Sequence, residues 1–243
     1  MITLYREFDQ GKFALGETKM LDNGGKTVYV SYAGSRLRLQ TPEMEAPFGI
    51  TTWSDANQSD ANAPKRYSLD LSFKGMADKK GLATFYEVMA GLDKRLIDEG
   101  VANSQSWFKK KITSKDVVEA LYTPLVKYSR DKLTGEINEK YAPNIKIKVP
   151  FKDGVFACEA FDAQKAQIDM AQIDMKRAKV TAIIEATGIW IAGGKFGMSF
   201  TLKQARVQPV PSIKGYAFKD APREDGDDGD DGGDIDDDDQ EFH

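Results

Sequence analysis

The sequence predicts a mainly β fold, a small Greek-key barrel that carries one or two inserted helices and ends in an acidic tail. Three observations lead there: short runs in which apolar and polar residues alternate, a glycine pair joining the two longest such runs, and a terminal segment without apolar periodicity. At 243 residues the chain is long enough to bury a substantial core.

Taken in order, Val28, Val30 and Tyr32 alternate with Tyr29 and Ser31. After Ala33-Gly34-Ser35, Leu37 and Leu39 alternate with Arg36, Arg38 and Gln40, so the two runs predict a hairpin. Trp53 to Lys65, rich in Ser, Asp, Asn and Ala, reads as an exposed loop. Leu69, Leu71 and Phe73 alternate with Ser68, Asp70 and Ser72, and Ile145, Ile147 and Val149 alternate with Lys146 and Lys148 before Pro150. Each such strand has one buried and one wet face. The clearest unit runs from Val180 to Ala192, turns at Gly193-Gly194, and returns from Lys195 to Val207 with Phe196, Met198, Phe200 and Leu202 on one face. The glycines supply the positive φ angles of a two-residue hairpin turn.

Helical spacing is confined to the middle of the chain. Leu82, Phe85, Tyr86, Met89, Leu92 and Leu96 predict a helix over 81–99, with Gly100 as its stop. A capping pattern at Thr113-Ser114-Lys115-Asp116 starts a second helix that ends before Pro124. An Ala-Gln-Ile-Asp-Met duplication at 166–170 and 171–175 fits neither period and reads as a tolerant loop or helix. No second core is evident, so the expected organisation is one domain over 1–210 and a linker with a disordered acidic tail over 211–243. Among small Greek-key barrels, an oligonucleotide-binding barrel fits this pattern best.

Charge is divided as sharply as structure. Residues 224–243 hold twelve of the 38 acids and no Lys or Arg, so the body sets 34 cations against 26 acids, a formal +8, while the whole chain is −4. A basic body with an anionic tail suggests a surface for a polyanion and a tail that imitates one; a solubilising terminus is the plain alternative. Nothing resembles a signal peptide and no apolar run would span a bilayer, so a soluble, intracellular protein is expected.

Several chemistries lack their residues. The one histidine is His243, within the acidic tail, and the one cysteine is Cys158, so a Ser-His-Asp triad or an ordinary zinc site cannot be assembled. Phosphate-loop and dinucleotide motifs are absent, and Gly193-Gly194-Lys195 reads as a turn. Asp70, Asp153 and Glu185 could serve a magnesium-dependent nucleic-acid enzyme but form no recognisable metal motif. No catalytic residue, cofactor or metal is expected.

Aromatics and cations are interleaved instead. Trp107-Phe108-Lys109-Lys110-Lys111 places two rings beside three ammonium groups. Lys65-Arg66-Tyr67, Lys127-Tyr128-Ser129-Arg130, Lys146, Lys148, Trp190 and Lys195 continue the theme. A single-stranded nucleic acid needs this combination, a positive groove for its backbone and π-faces for its bases. Tyr67, Trp190 and Phe196 also suit a core, whereas Trp107 and Phe108 are the rings the sequence most favours as exposed.

The strings LQTPEMEAPFGITTW at 39–53, RYSLDLSFKG at 66–75 and GIWIAGGKFGMSF at 188–200 resemble the single-stranded DNA-binding proteins of large DNA viruses of algae. These are similar in turn to phage replication-type proteins with one oligonucleotide-binding barrel and an acidic tail ending in an aromatic. The resemblance implies a viral or phage-encoded, non-enzymatic protein acting in the infected cell. It further implies sequence-tolerant binding of single-stranded DNA in replication, recombination and repair. By the same resemblance Asp236, Asp237, Asp238, Asp239, Glu241 and Phe242 would contact replicative polymerase and helicase or primase, and a homodimer is admissible. His243 after Phe242 departs from the pattern, because it moves the terminal carboxylate away from the ring. A nucleoprotein or an acidic-tailed chaperone is the rival class, but it gives the basic body no purpose.

Overall fold

The computed structural model describes residues 1–22, 24–53, 65–211 and 216–219. The chain divides into two units, Met1–Val210 and Pro211–His243, and all regular structure among the described residues lies in the first. Before the helices come β1 (Thr3–Leu4), β2 (Phe13–Met20), β3 (Lys26–Tyr32), β4 (Arg38–Gln40), β5 (Met44–Ala46), β6 (Ile50–Trp53) and β7 (Arg66–Ser72). Three helices follow, α1 (Lys80–Ala102), α2 (Ser104–Phe108) and α3 (Lys115–Leu121). The chain then forms β8 (Tyr122–Thr123), β9 (Val126–Lys127), β10 (Asn144–Val149), β11 (Phe151–Lys152), β12 (Val155–Phe156), β13 (Glu159–Phe161) and β14 (Gln167–Ile168). The long β15 (Ala178–Ala192) and β16 (Lys195–Gln208) complete it.

Five strands close a ring. β5 pairs antiparallel with β7 and β7 with β10; β10 runs parallel to β16; β16 is antiparallel to β15, which returns antiparallel to β5. Numbered along the chain, the ring reads 1-2-3-5-4-1, a five-stranded Greek-key barrel, the class to which oligonucleotide-binding barrels belong. The mainly β architecture with few helices is the one the alternation predicts. Its first stave is bent: β4 and β5 pair with β15, while β5 and β6 pair with β7. At the bend Pro42 interrupts the strand, and Thr41 keeps the ladder continuous. Its amide donates to Ala182 O at 2.9 Å and its hydroxyl accepts from Ala182 N at 3.0 Å.

Alternation decides which side chains fill the barrel. Leu39, Met44, Leu69, Leu71, Ile145, Ile147, Ile184, Phe200 and Leu202 are fully buried. α1 lays Leu82, Phe85, Met89, Leu92 and Leu96 against this body, with Phe85 5.8 Å from the Phe73 ring. Asp93 ties the helix to β9, accepting from Tyr122 Oη at 2.6 Å and from the amides of Leu125 at 2.7 Å and Val126 at 3.1 Å. α3 begins at Ser114, whose hydroxyl accepts from Val117 N at 3.4 Å, as its capping pattern predicts.

Three expectations change. The runs around 28–32 and 37–39 are strands, but not one hairpin: beyond a tight turn at Tyr32–Ser35, β3 pairs with β2 along its length and with β15 at Lys26–Val28, while β4 pairs with β15 at 183–185. The ladders with β2 and β15 are longer than the single bridge the two runs share at Tyr32 and Ser35. Gly100 does not stop α1, which runs to Ala102; it is where Phe196 and Val118 press on the helix, and a Cβ there would lie 2.8 Å from Phe196 Cζ. The duplication is not a tolerant loop. Asp169 accepts from Ala171 N and Asp174 from Lys176 N, each at 2.9 Å, and Met170 and Met175 are both buried, so each copy of the repeat is anchored by its Asp and its Met.

Replacing Gly100 by Val should overpack this contact and cost about 1–3 kcal/mol. The urea midpoint of the full chain checks it; an unchanged midpoint would mean that the helix does not seat on Phe196.

Candidate nucleic-acid interface

Pairing of β7 with β10 sorts side chains into two layers. Leu69 faces Ile147 and Leu71 faces Ile145 inside, so Ser68 opposite Lys148, Asp70 opposite Lys146 and Ser72 opposite Asn144 face outward. β9 extends this outer face by placing Lys127 opposite Asn144. Lys146 Nζ reaches Asp70 Oδ2 at 3.1 Å and Ser68 Oγ at 3.4 Å. Asp70 Oδ1 is buried without a hydrogen-bond partner among the described residues.

Lys127, Lys146 and Lys148 crowd together on this patch around Asp70. Burial lowers Lys127 below the ordinary lysine value, the nearby Lys146 lowers it further, and Asp70 offsets only part. Burial and then Arg66 lower Lys148 in the same sense. Like charges this crowded raise the energy of the unoccupied face, and an anion relieves them.

Rings stand at both ends. Beyond Lys148, the short β11–β12 hairpin folds back so that Phe151 and Phe156 meet Tyr67, with centroid separations of 4.7 Å for Tyr67–Phe151 and 5.1 Å for Phe151–Phe156. Phe151 is exposed, and Lys152 beside it is exposed too. At the other end exposed Tyr128 follows Lys127 and bonds through its hydroxyl to Tyr86. From Asn144 to Val149 the lane is about 17 Å long at the usual strand rise.

Of the residues expected at a site, Arg66, Lys127, Lys146 and Lys148 share this outward face with Lys65 next to Arg66, while Tyr67 lies opposite buried Val149 on the inward register and Tyr128 follows Lys127 and bonds to Tyr86 of α1. Trp107 does not share it. It is 3% exposed and packs 5.6 Å from Phe196, and Phe108 is half-buried against the same ring at 5.4 Å. The single turn of α2 carries both rings inward, and Lys109, in the left-handed region at φ 59°, reverses the chain so that Lys109, Lys110 and Lys111 stay exposed. Lys26 fixes the arrangement by donating to Trp107 O at 3.2 Å. Trp190 is half-buried across Gly197, where a Cβ would lie 3.0 Å from Trp190 Cζ2, and Lys195 is exposed at the hairpin tip beside it. Arg130 belongs to the 129–138 loop, donating to Gly135 O at 2.8 Å. Asp236, Asp237, Asp238, Asp239, Glu241 and Phe242 lie outside the described residues. Sequence reasoning missed Phe151 and Phe156; an aromatic-Lys pair between Pro150 and the Asp153-Gly154 turn was the available signal.

The carboxylates of the enzyme alternative are committed elsewhere: Asp70 to Lys146, Glu185 to Arg38 and Lys203, while Asp153 occupies an exposed turn. Burial pushes the Cys158 thiol up to about 11, away from the range of a reactive thiolate.

The site is therefore an open, cationic sheet face on a Greek-key barrel, bracketed by aromatic rings. The chain belongs to a family of unknown function (DUF5871), whose model matches residues 82–220. Curated proteins include no match. Among solved structures it is similar to a single-stranded DNA-binding protein, gp2.5, encoded by bacteriophage T7, with TM-score 0.41 and 10% identity over 76% of this chain and 98% of that one. It is also similar to the single-stranded DNA-binding protein from bacteriophage Enc34 in complex with ssDNA, with TM-score 0.41 and 10% identity over 83% of this chain and 98% of that one. These are distant likenesses, and the functional reading rests on the chain's own geometry.

Two substitutions separate core from surface. Trp107→Ala should cost about 3–5 kcal/mol of stability. Phe151→Ala, which loses its contacts with Tyr67 and Phe156 but opens no core cavity, should cost less stability than Trp107→Ala and weaken single-strand binding by about 1–3 kcal/mol if one base stacks there. Thermal unfolding and oligonucleotide anisotropy on both variants check the assignment; a stable Trp107→Ala protein with lost binding would reverse it.

Proposed function

We propose that this chain is a non-enzymatic, sequence-tolerant single-stranded DNA-binding protein that covers exposed single strands during replication, recombination and repair. One observation carries the reading. The β7–β10 and β9–β10 registers send Lys127, Lys146 and Lys148, with Arg66 beside them, to the outward side of one sheet patch over the buried acid Asp70, with Phe151 and Tyr128 near its two ends. The cations suit a phosphate backbone and the rings suit unstacked bases, whose faces are out of reach in a duplex. On this reading the tail, with twelve acids tethered to a basic body, competes for the face at low salt. When a strand displaces it, the tail and Phe242 engage replicative polymerase and helicase or primase, in keeping with a virus- or phage-encoded protein working inside the infected cell.

Anisotropy of a labelled oligonucleotide tests this. Single strand should bind far more tightly than duplex, with a log–log salt slope of about −0.7 per phosphate neutralised, and the oligonucleotide should emerge uncleaved with magnesium present. Removing residues 224–243 should tighten binding, most at low salt. Equal affinity for duplex and single strand would overturn the reading.

The depressed lysines add a pH dependence with a definite sign. A bound phosphate returns Lys127 and Lys148 toward the ordinary lysine value, so binding takes up protons. Affinity is then complete below the lowered pKa values of the free protein and falls as pH rises from there toward the ordinary lysine value. Titrations at stepwise alkaline pH, with folding followed in parallel, check it; Lys127→Arg and Lys148→Arg should flatten the fall.

A further inference from the structure

The outer face does not end at β10. Strand register links Thr51 to Ser68, Ser68 to Lys148, Lys148 to Thr201, Thr201 to Glu185 and Glu185 to Arg38, one row of outward polar side chains crossing six strands. At the usual inter-strand spacing, Glu185 sits about 10 Å around the barrel from Lys148. Only the hydroxyl residue Thr201 lies between them in the row.

Glu185 is the centre of a second cationic group. Its carboxylate, 7% exposed, receives Arg38 Nε at 2.6 Å, Lys203 Nζ at 3.1 Å and Arg36 Nη1 at 3.3 Å. Three cations on one carboxylate leave a surplus of two positive charges, and the cations keep their outer surfaces in water, with side-chain exposures of 75% for Arg36, 42% for Arg38 and 41% for Lys203. Arg38 spends Nε on Glu185, and its Nη donors have no hydrogen-bond partner among the described residues. Lys203 is placed by a β-bulge: Ile183 pairs with Gln204 and Ile184 with Leu202, so Lys203 is the extra residue and swings out to Glu185. Bulges commonly re-aim a side chain in this way. A buried carboxylate with three partners is a costly device for stability alone, since apolar residues of similar volume do as well. What it supplies is orientation, a fixed guanidinium fork and an ammonium group facing solvent side by side.

We propose that Arg36, Arg38 and Lys203, positioned by Glu185, form a second phosphate-binding subsite, filled by the same polynucleotide that occupies the β7–β10 face as it continues around the barrel across β16. The ligand class is a backbone phosphate diester, which takes bidentate contacts from arginine and a point contact from lysine. The inference rests on the single-strand reading above, and its test separates the two.

The experiment measures the salt dependence of binding of a sixteen-nucleotide oligo(dT) to the full chain and two variants. Arg38→Gln, Lys203→Gln and Glu185→Gln combined remove the cations together with the acid they satisfy, so no unpaired carboxylate remains buried. The salt slope should then flatten by up to about 1.4, two contacts at about 0.7 each. Lys146→Gln with Lys148→Gln should flatten it on its own account. If only the second variant changes the slope, the second subsite is refuted and the single-strand reading stands. If neither does, both fall. Should the triple variant fail to fold, the wild-type chain still decides: the Nε–H resonance of Arg38 in a side-chain nitrogen NMR spectrum should shift on oligo(dT) addition and saturate at the stoichiometry of binding. An unmoved resonance overturns the proposal.

Discussion

The pairing of β15 with its four neighbours is the constraint on which the rest of the molecule depends. β15 meets β16 along almost its whole length and offers its other edge in turn to β5, β4 and β3. Through β5 and β16 it closes the barrel; through β3 it carries a ribbon beyond the barrel's end. Because successive side chains point to opposite faces, a slip of one residue would exchange core and surface along the strand. Two bulges hold the register, one between Ile183 and Ile184 and one between Ala186 and Ile189. Both lie close to Glu185, so the irregularities that fix the closure also set the outward charges of this side.

Much of this fold is legible in the sequence, and the reasons it is or is not are local. The β15–β16 hairpin can be read because its turn is a glycine pair with φ values of 58° and 72° and its strands are long enough to show their period. The α1 stripe can be read for the same reason. Partner choice cannot. Tyr32 and Leu37 look like neighbours across a turn, yet Tyr32 pairs with Phe13 of β2 and Leu37 O accepts from Ala186 N of β15, and nothing within the 28–40 segment carries that information. β2 escapes the pattern because most of its residues are exposed, and Gly100 misleads because glycine marks both helix ends and close packing.

The candidate site divides along the same line. Lys146 and Lys148 are legible as outward cations because Ile145, Ile147 and Val149 fix the inward face, and Arg36 and Arg38 follow from Leu37 and Leu39 by the same rule. Trp107 and Phe108 mislead because adjacency in sequence is not adjacency in space: one helical turn and one left-handed residue separate two rings from three lysines. Phe151 and Phe156 escape notice because neither strand of their hairpin exceeds two residues, too short for any period to register. Their meeting with Tyr67 exists only once the hairpin folds back.

A face suited to a polyanion nevertheless contains two buried acids, and their positions explain why. Asp70 lies under Lys146 and Glu185 under Arg38 and Lys203, each at the bottom of a group of cations and turned away from solvent. Burial alone would raise the Glu185 carboxyl, but hydrogen bonds from Arg38 and Lys203 outweigh it and hold the group below the usual carboxylate range. It therefore stays charged wherever the protein is folded near neutrality. Ions in solution screen such partly buried pairs far less than they screen exposed charge. Rising salt then weakens the attraction of the surplus cations for a ligand while the acids beneath them keep the same cations in place. Affinity for an anion and arrangement of the cations thus respond differently to ionic strength.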